Sequence, residues 1–264
     1  MAKQRLTITL ADSTLNKIDQ LIDKKQVRSR SHAIESILQQ HLNPQVYTAV
    51  ILAGGNSTKN KTYKPLLQYQ GKPLILHQLE LLESHGVERI LLVGNQDDQD
   101  ISPLINQHFP EITYSQVYEK KPLGTAGALL ALKTKIKGSF FCLHADIFTT
   151  IDLSAMAAFH QEHGSVATIA VKPKVSDLSY DNVFTQGTQV TAFQPNSQET
   201  EVSLVNSGIY LFDSSIFKHL DNQHPSMLET DAFPQLAEKN LLTAFSFSGQ
   251  WLDVSNNNTN TARE

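Results

Sequence analysis

The chain reads as an α/β protein: a mainly parallel sheet with helices on both faces, preceded by a small module of one strand and two helices. Two observations predict the large part. From Tyr47 onward, short apolar runs alternate with stretches of helical periodicity, and such alternation builds a parallel sheet whose ligands gather at the carboxyl ends of the strands. A third marks the boundary. Residues 1–44 carry seven Lys/Arg against four Asp/Glu, whereas the whole 264-residue chain is at -4, which leaves the remainder near -7. The division expected is therefore 1–44 and 45–264.

In the first segment Arg5-Leu6-Thr7-Ile8-Thr9-Leu10 alternates with period two, so Leu6, Ile8 and Leu10 share one face and Arg5, Thr7 and Thr9 the other. That is a half-buried strand. Leu15, Ile18, Leu21 and Ile22 then predict one helix, capped by Asp12 or Ser13, and Ala33, Ile34, Ile37 and Leu38 a second, capped by Ser29 or Ser31. A lone strand needs a ladder partner for its backbone groups, and a second copy of the chain would supply one. His41 to Gln45 forms the linker, because the residue before Pro44 is pushed out of the helical region.

In the large part, strands are expected near 48–53, 89–94, 112–118, 139–145 and 165–172, and helices near 74–85, 100–108, 125–136 and 153–163. Residues 182–212 read as antiparallel strands, 229–240 as a helix and 256–260 as a loose tail. The one cysteine, Cys142, lies in an apolar run, which excludes a disulfide framework and fits a reducing cytoplasm. No apolar run is long enough to cross a bilayer, so no membrane partner is expected.

The chemistry concentrates after the first of these strands, where Ala49-Val50-Ile51 runs into Leu52-Ala53-Gly54-Gly55-Asn56-Ser57-Thr58-Lys59, with Lys64-Pro65 close behind. Paired glycines let the backbone approach an anion, and lysines add compact positive charge at the same place, so the loop suits phosphates. Its spacing matches neither the P-loop nor the dinucleotide fingerprint. Together with Gly71-Lys72-Pro73, Lys121-Pro122-Leu123-Gly124-Thr125-Ala126-Gly127, Leu143-His144-Ala145-Asp146, Asn206-Ser207-Gly208 and Trp251-Leu252-Asp253, it resembles the sugar-1-phosphate nucleotidyltransferases from about Tyr47 to the C-terminus.

That resemblance implies a Rossmann-like fold of the nucleotide-diphospho-sugar transferase type, and transfer of a nucleoside monophosphate from a nucleoside triphosphate to a sugar 1-phosphate. It implies Lys64, Lys59 and Asp146 as catalytic groups. Leu52, Ala53, Gly54, Gly55, Asn56, Ser57, Thr58, Glu119, Gly124 and Thr125 would bind nucleotide, Asn206 and Gly208 the sugar, and Asp146 with Asp253 a Mg2+ ion. The pattern departs from the family at Ser57, Lys59 and Tyr63, and Phe193-Gln194-Pro195-Asn196 stands where a Glu-Lys pair is usual, so the sugar phosphate would need Lys172 or Lys174.

Residues 3–43 resemble ribbon-helix-helix DNA-binding modules, with Ser29-Arg30-Ser31 as the best local match. The resemblance implies a homodimer. It places Arg5, Thr7 and Thr9 toward DNA bases and Ser29, Arg30 and Ser31 toward phosphate; the alternative is that the module only dimerises the protein, its outward residues simply solvated. A regulator is the competing reading of the whole chain: a dimeric repressor whose large domain senses a nucleotide or sugar nucleotide.

Overall fold

The computed structural model describes residues 7–23, 27–42, 45–54, 62–96, 98–175, 180–194, 202–221 and 225–255. The chain divides into two compact units, Met1–Pro44 and Gln45–Glu264.

The first unit holds helices α1 (Asp12–Gln20) and α2 (Arg30–Leu42). Ala11 precedes α1 without a side-chain cap, so neither Asp12 nor Ser13 plays that part, although Asp12 lies favourably in the first turn. Ser29 does cap α2, its Oγ accepting from the His32 amide at 3.2 Å. Arg30 grips Asp19 through both guanidinium arms, at 2.6 and 2.7 Å. Its fork is thus used to tie the two helices. The described part of the expected strand, Thr7 to Leu10, is not a strand and is exposed on both faces. No ladder partner pairs with it among the described residues, which is reason enough for that difference. Arg5 lies outside the described residues.

The second unit is built on a nine-stranded sheet in the order β5-β4-β1-β6-β11-β8-β12-β10-β9. In chain order these are β1 (Thr48–Leu52), β4 (Arg89–Asn95), β5 (Thr113–Glu119), β6 (Phe140–His144), β8 (Ala167–Val175), β9 (Asn182–Gln186), β10 (Gln189–Gln194), β11 (Val202–Phe212) and β12 (Leu242–Ser246). Two ribbons accompany it: β2 (Gln68–Tyr69) with β3 (Lys72–Pro73), and β7 (Ile147–Thr149) with β13 (Trp251–Asp253). Helices α3 (Leu74–Ser84), α4 (Ser102–His108), α5 (Gly124–Leu130), α6 (Leu153–His163) and α7 (Phe233–Glu238) complete the unit.

β1 shows why these strands read as continuous apolar runs. Ala49 and Ile51 pack into one core with Ile75, Leu79, Ile105 and Met156, while Val50 and Leu52 pack into the other with Leu129, Phe233 and Leu236. Both faces are covered, so every position must be apolar. β1 pairs in parallel with β4 on one side and β6 on the other. The strand order reverses there, and a crevice opens beyond the carboxyl ends.

Two helices differ from expectation for visible reasons. α5 stops at Leu130 and continues as turns to Lys135 closed by i to i+3 bonds such as Lys135 N–H to Leu132 O at 2.8 Å. The helix near 229–240 begins as a π-turn, Leu228–Ala232, before α7 takes over. Pro234, with no N–H to give to the carbonyl four residues earlier, sits at that junction.

Candidate active site

Four parallel strands deliver the site. β1 ends at Leu52 and hands the chain to Ala53 and Gly54, β4 ends at Asn95, β5 at Glu119 and β6 at His144. Ala53 N–H bonds Val93 O at 2.7 Å and Ala145 N–H bonds Leu52 O at 3.0 Å, so the three turns leave the sheet in step. Their ends open into a cavity of about 1030 Å³. Leu52, Ala53, Gly54, Lys64, Glu119, Gly124, Thr125, Asp146, Asn206, Gly208 and Asp253 all line it. These residues span most of the second unit's length, yet the fold gathers them. Gly55, Asn56, Ser57, Thr58 and Lys59 lie outside the described residues.

At the floor, Lys64 Nζ sits 2.7 Å from Asp146 Oδ2, and Ser255 Oγ donates to the same oxygen at 2.9 Å. Burial pushes the Asp146 carboxyl up. The charges of Lys64 and His144 and these two hydrogen bonds outweigh it, so the group is held below the usual carboxylate range. Asp253 arrives through β13, which runs antiparallel to β7 with Asp253 opposite Ile147, and Val254 N–H bonds the Asp146 carbonyl at 2.9 Å. Two carboxylates, Asp146 just before β7 and Asp253 in its partner strand β13, thus line one cavity, the first of them buried and held ionised. That oxygen-only donor pair fits Mg2+, which takes one or two carboxylates and completes its shell with water and phosphate oxygens.

The wall between Thr125 and Asn206 is a closed network around Glu229, which sequence reasoning missed. Thr125 Oγ1 donates to Glu229 Oε2 at 2.8 Å and accepts from the Leu228 amide at 2.8 Å. Tyr210 OH donates to Glu229 Oε1 at 3.3 Å, His144 Nε2 lies 3.5 Å from that oxygen, and Asn206 Nδ2 donates to Tyr210 OH at 3.0 Å. Burial works against both charges of the His144–Glu229 pair. Even so, their contact raises the imidazole's pKa above its ordinary value and, with help from Thr125, lowers the carboxyl's.

Two glycines are required by close approach. Gly124 has φ +79, and a Cβ there would lie 2.3 Å from the Ser226 carbonyl oxygen. Gly208, at φ +71, faces the His144 ring and Ile147. At the end of β5, Glu119 Oε1 is buried without a hydrogen-bond partner among the described residues, and burial raises that carboxyl despite an amide bond from Leu123. Of the two lysines of β8, Lys172 is engaged by the Phe247 and Gly249 carbonyls at 3.1 and 2.7 Å, whereas Lys174 Nζ stands 3.6 Å from the Tyr180 ring centroid.

Comparison with known proteins follows the same outline. The sequence profile described as Nucleotidyl transferase matches residues 48–259. The mannose-1-phosphate guanylyltransferase catalytic subunit beta of Drosophila pseudoobscura pseudoobscura is 30% identical over 219 residues, covering 78% of this chain and 58% of the relative. The probable mannose-1-phosphate guanylyltransferase 2 of Arabidopsis thaliana is 33% identical over 226 residues, covering 78% and 61%. The chain therefore spans less than two thirds of the length of these relatives. Among solved structures, HddC from Yersinia pseudotuberculosis superposes with a TM-score of 0.68 at 24% identity, over 80% of this chain and 94% of that one. At that identity the likeness concerns the α/β fold.

Proposed function

The chain belongs to the nucleotidyl transferase family, and from that premise we propose that it transfers a nucleoside monophosphate from a nucleoside triphosphate to a sugar 1-phosphate. The observation that carries this reading is the Lys64–Asp146 pair in the same cavity as Asp253, Gly54 and the Gly124-Thr125 turn. A phosphate oxygen of the sugar 1-phosphate attacks the α-phosphorus, a new P–O bond forms, the α–β bond breaks and pyrophosphate leaves. The attacking oxygen is already ionised at neutral pH. The site's task is therefore to neutralise two polyanions and hold them in line.

Each residue has a part in that task. Lys64 places its ammonium against the α-phosphate and the charge that develops on the departing group, with Asp146 keeping it oriented. Asp146 and Asp253 would hold Mg2+, which when bound screens the phosphate oxygens. Gly54 and the loop after it face the phosphates, with Lys59 as a second cation. Leu52 and Ala53 border the base, while Asn206 and Gly208 border the sugar. The Glu119 oxygen that is unpartnered among the described residues supports guanine as the base, because a carboxylate can accept from both the ring N–H and the amino group. The relatives' substrates make GTP and mannose 1-phosphate the first pair to test.

Residues 3–43 are read as a dimerisation module. Ile8, Leu10, Leu21 and Leu38 are exposed, and Ile18 and Ala33 are the buried apolar residues among those described. So little burial calls for a second copy. The operator-binding alternative is weaker, because Arg30 is already engaged by Asp19 and Ser29 by the start of α2. A pyrophosphate-release assay across GTP, ATP, CTP, UTP and dTTP with mannose 1-phosphate and other sugar phosphates, with Mg2+, tests the reaction. Turnover is expected with GTP, and Asp146→Asn should lower it by about a thousandfold or more with the circular dichroism spectrum unchanged. Release undiminished in that variant would overturn the assignment.

A further inference from the structure

We propose that Glu229 is a positioning residue that couples the nucleotide side of the cavity to the acceptor side; the proposal rests on the transfer reaction above. Its two oxygens serve opposite walls. Oε2 takes the Thr125 hydroxyl at the start of α5, and Oε1 takes the Tyr210 hydroxyl of β11 and faces His144 of β6. Each of these partners is itself tied onward. Thr125 also accepts the Leu228 amide, and the Ala126 amide bonds Ser226 O at 3.0 Å, which welds the first turn of α5 to the 226–229 segment. Tyr210 orients Asn206, whose Oδ1 receives the Gly208 amide at 3.1 Å, and His144 precedes Asp146 by two residues.

Glu229 is therefore where the turn that borders the ribose, the strand that borders the sugar and the strand that presents Asp146 meet. It is buried, and its carboxylate is held ionised by the groups it aligns. Glu229 sits in the π-turn, a distortion that recurs at functional sites and here aims the side chain inward from a surface helix. A neutral amide of the same shape has one acceptor oxygen and cannot receive Thr125 and Tyr210 on opposite sides. In-line transfer is sensitive to misplacement of about 1 Å, so losing this bridge should affect turnover more than binding.

The experiment is a double-mutant cycle between Thr125→Val and Tyr210→Phe, run with Glu229 and again with Glu229→Gln, reading kcat and KM for both substrates and the melting temperature. With Glu229 present, each single change is expected to lower kcat about 10-fold, with KM for GTP altered no more than about 3-fold, and the double variant no worse than the poorer single. In the Glu229→Gln background neither change should lower kcat further. Additive losses, or wild-type kcat in Glu229→Gln, would overturn the proposal. Should Glu229→Gln fail to fold, the cycle in the Glu229 protein alone decides by its additivity. If wild type releases no pyrophosphate from any substrate pair, the transfer reaction fails on its own, and the same cycle is read on the affinity for a non-hydrolysable GTP analogue. There the two single changes and the double are expected to weaken binding by the same small factor, no more than about 3-fold, and losses that multiply overturn the coupling.

Discussion

Glu119 is the residue at which the proposed choice of base is tested. Its buried oxygen, unpartnered among the described residues, is costly unless a group donates to it, so on the proposed reading a base without an N–H and amino edge leaves it unsatisfied. Glu119→Gln should therefore lower kcat/KM for GTP by about 100-fold while ATP changes little, and equal losses for both triphosphates would refute a base-reading role. The pH sign follows from the raised carboxyl: its acceptor form is lost as pH falls toward that raised value, so KM for GTP should climb on the acid side sooner than for a free glutamate. That Lys64, Asp146, Gly124 and Thr125 would meet at one cavity could be read from the sequence because short contiguous motifs carry them. Glu229 could not, since its meaning comes from Thr125, 104 residues away. Thr125 also shows the limit of a motif, which located the residue but gave no sign that its hydroxyl serves Glu229 and Leu228.

At the scale of elements, the buried strands of the second unit, its edge strand β5 and the helices α3 and α6 were legible, whereas the strand expected from residue 5 was not. β1, β4 and β6 fall within two residues of their expected ranges because continuous apolar runs of that length have few other uses. The strand expected from residue 5 depends on a partner, and alternation alone reports a face, not what covers it. One internal contact makes a further prediction. His160 on α6 bonds Thr168 Oγ1 of β8 at 2.7 Å, and Thr168 in turn bonds Thr243 of β12 at 2.9 Å, which pins the helix to two strands inside the core. Burial lowers the imidazole's pKa below its ordinary 6.5, only partly opposed by Asp213. The unfolded chain therefore takes up this proton first. The contact's stability is present above about pH 6.5 and lost as pH falls through the lower folded value. Melting temperature should drop between about pH 7 and pH 5, and His160→Gln, which keeps a hydrogen bond without titrating, should flatten that slope.

For the molecule as a whole, the second unit carries both cores and every described residue of the site, while the first carries a two-helix unit in which Ile18 and Ala33 alone, among its described apolar residues, are buried. Removing residues 1–44 should give a monomer by light scattering that keeps pyrophosphate release within about 3-fold, and an unchanged dimer would refute the dimerisation reading. No helix among the described residues is long and apolar enough to cross a membrane. The single cysteine offers a different view of the whole. Cys142 lies opposite Val50 on one side and Tyr210 on the other, fully buried, its thiol pushed up by burial. A sulfhydryl reagent therefore has no target until the middle of the sheet parts, and its labelling rate becomes a clock for that rupture. On the proposed reading substrates are gripped at the ends of those same strands, so saturating ligand should slow the clock, giving a measure of occupancy that needs no turnover.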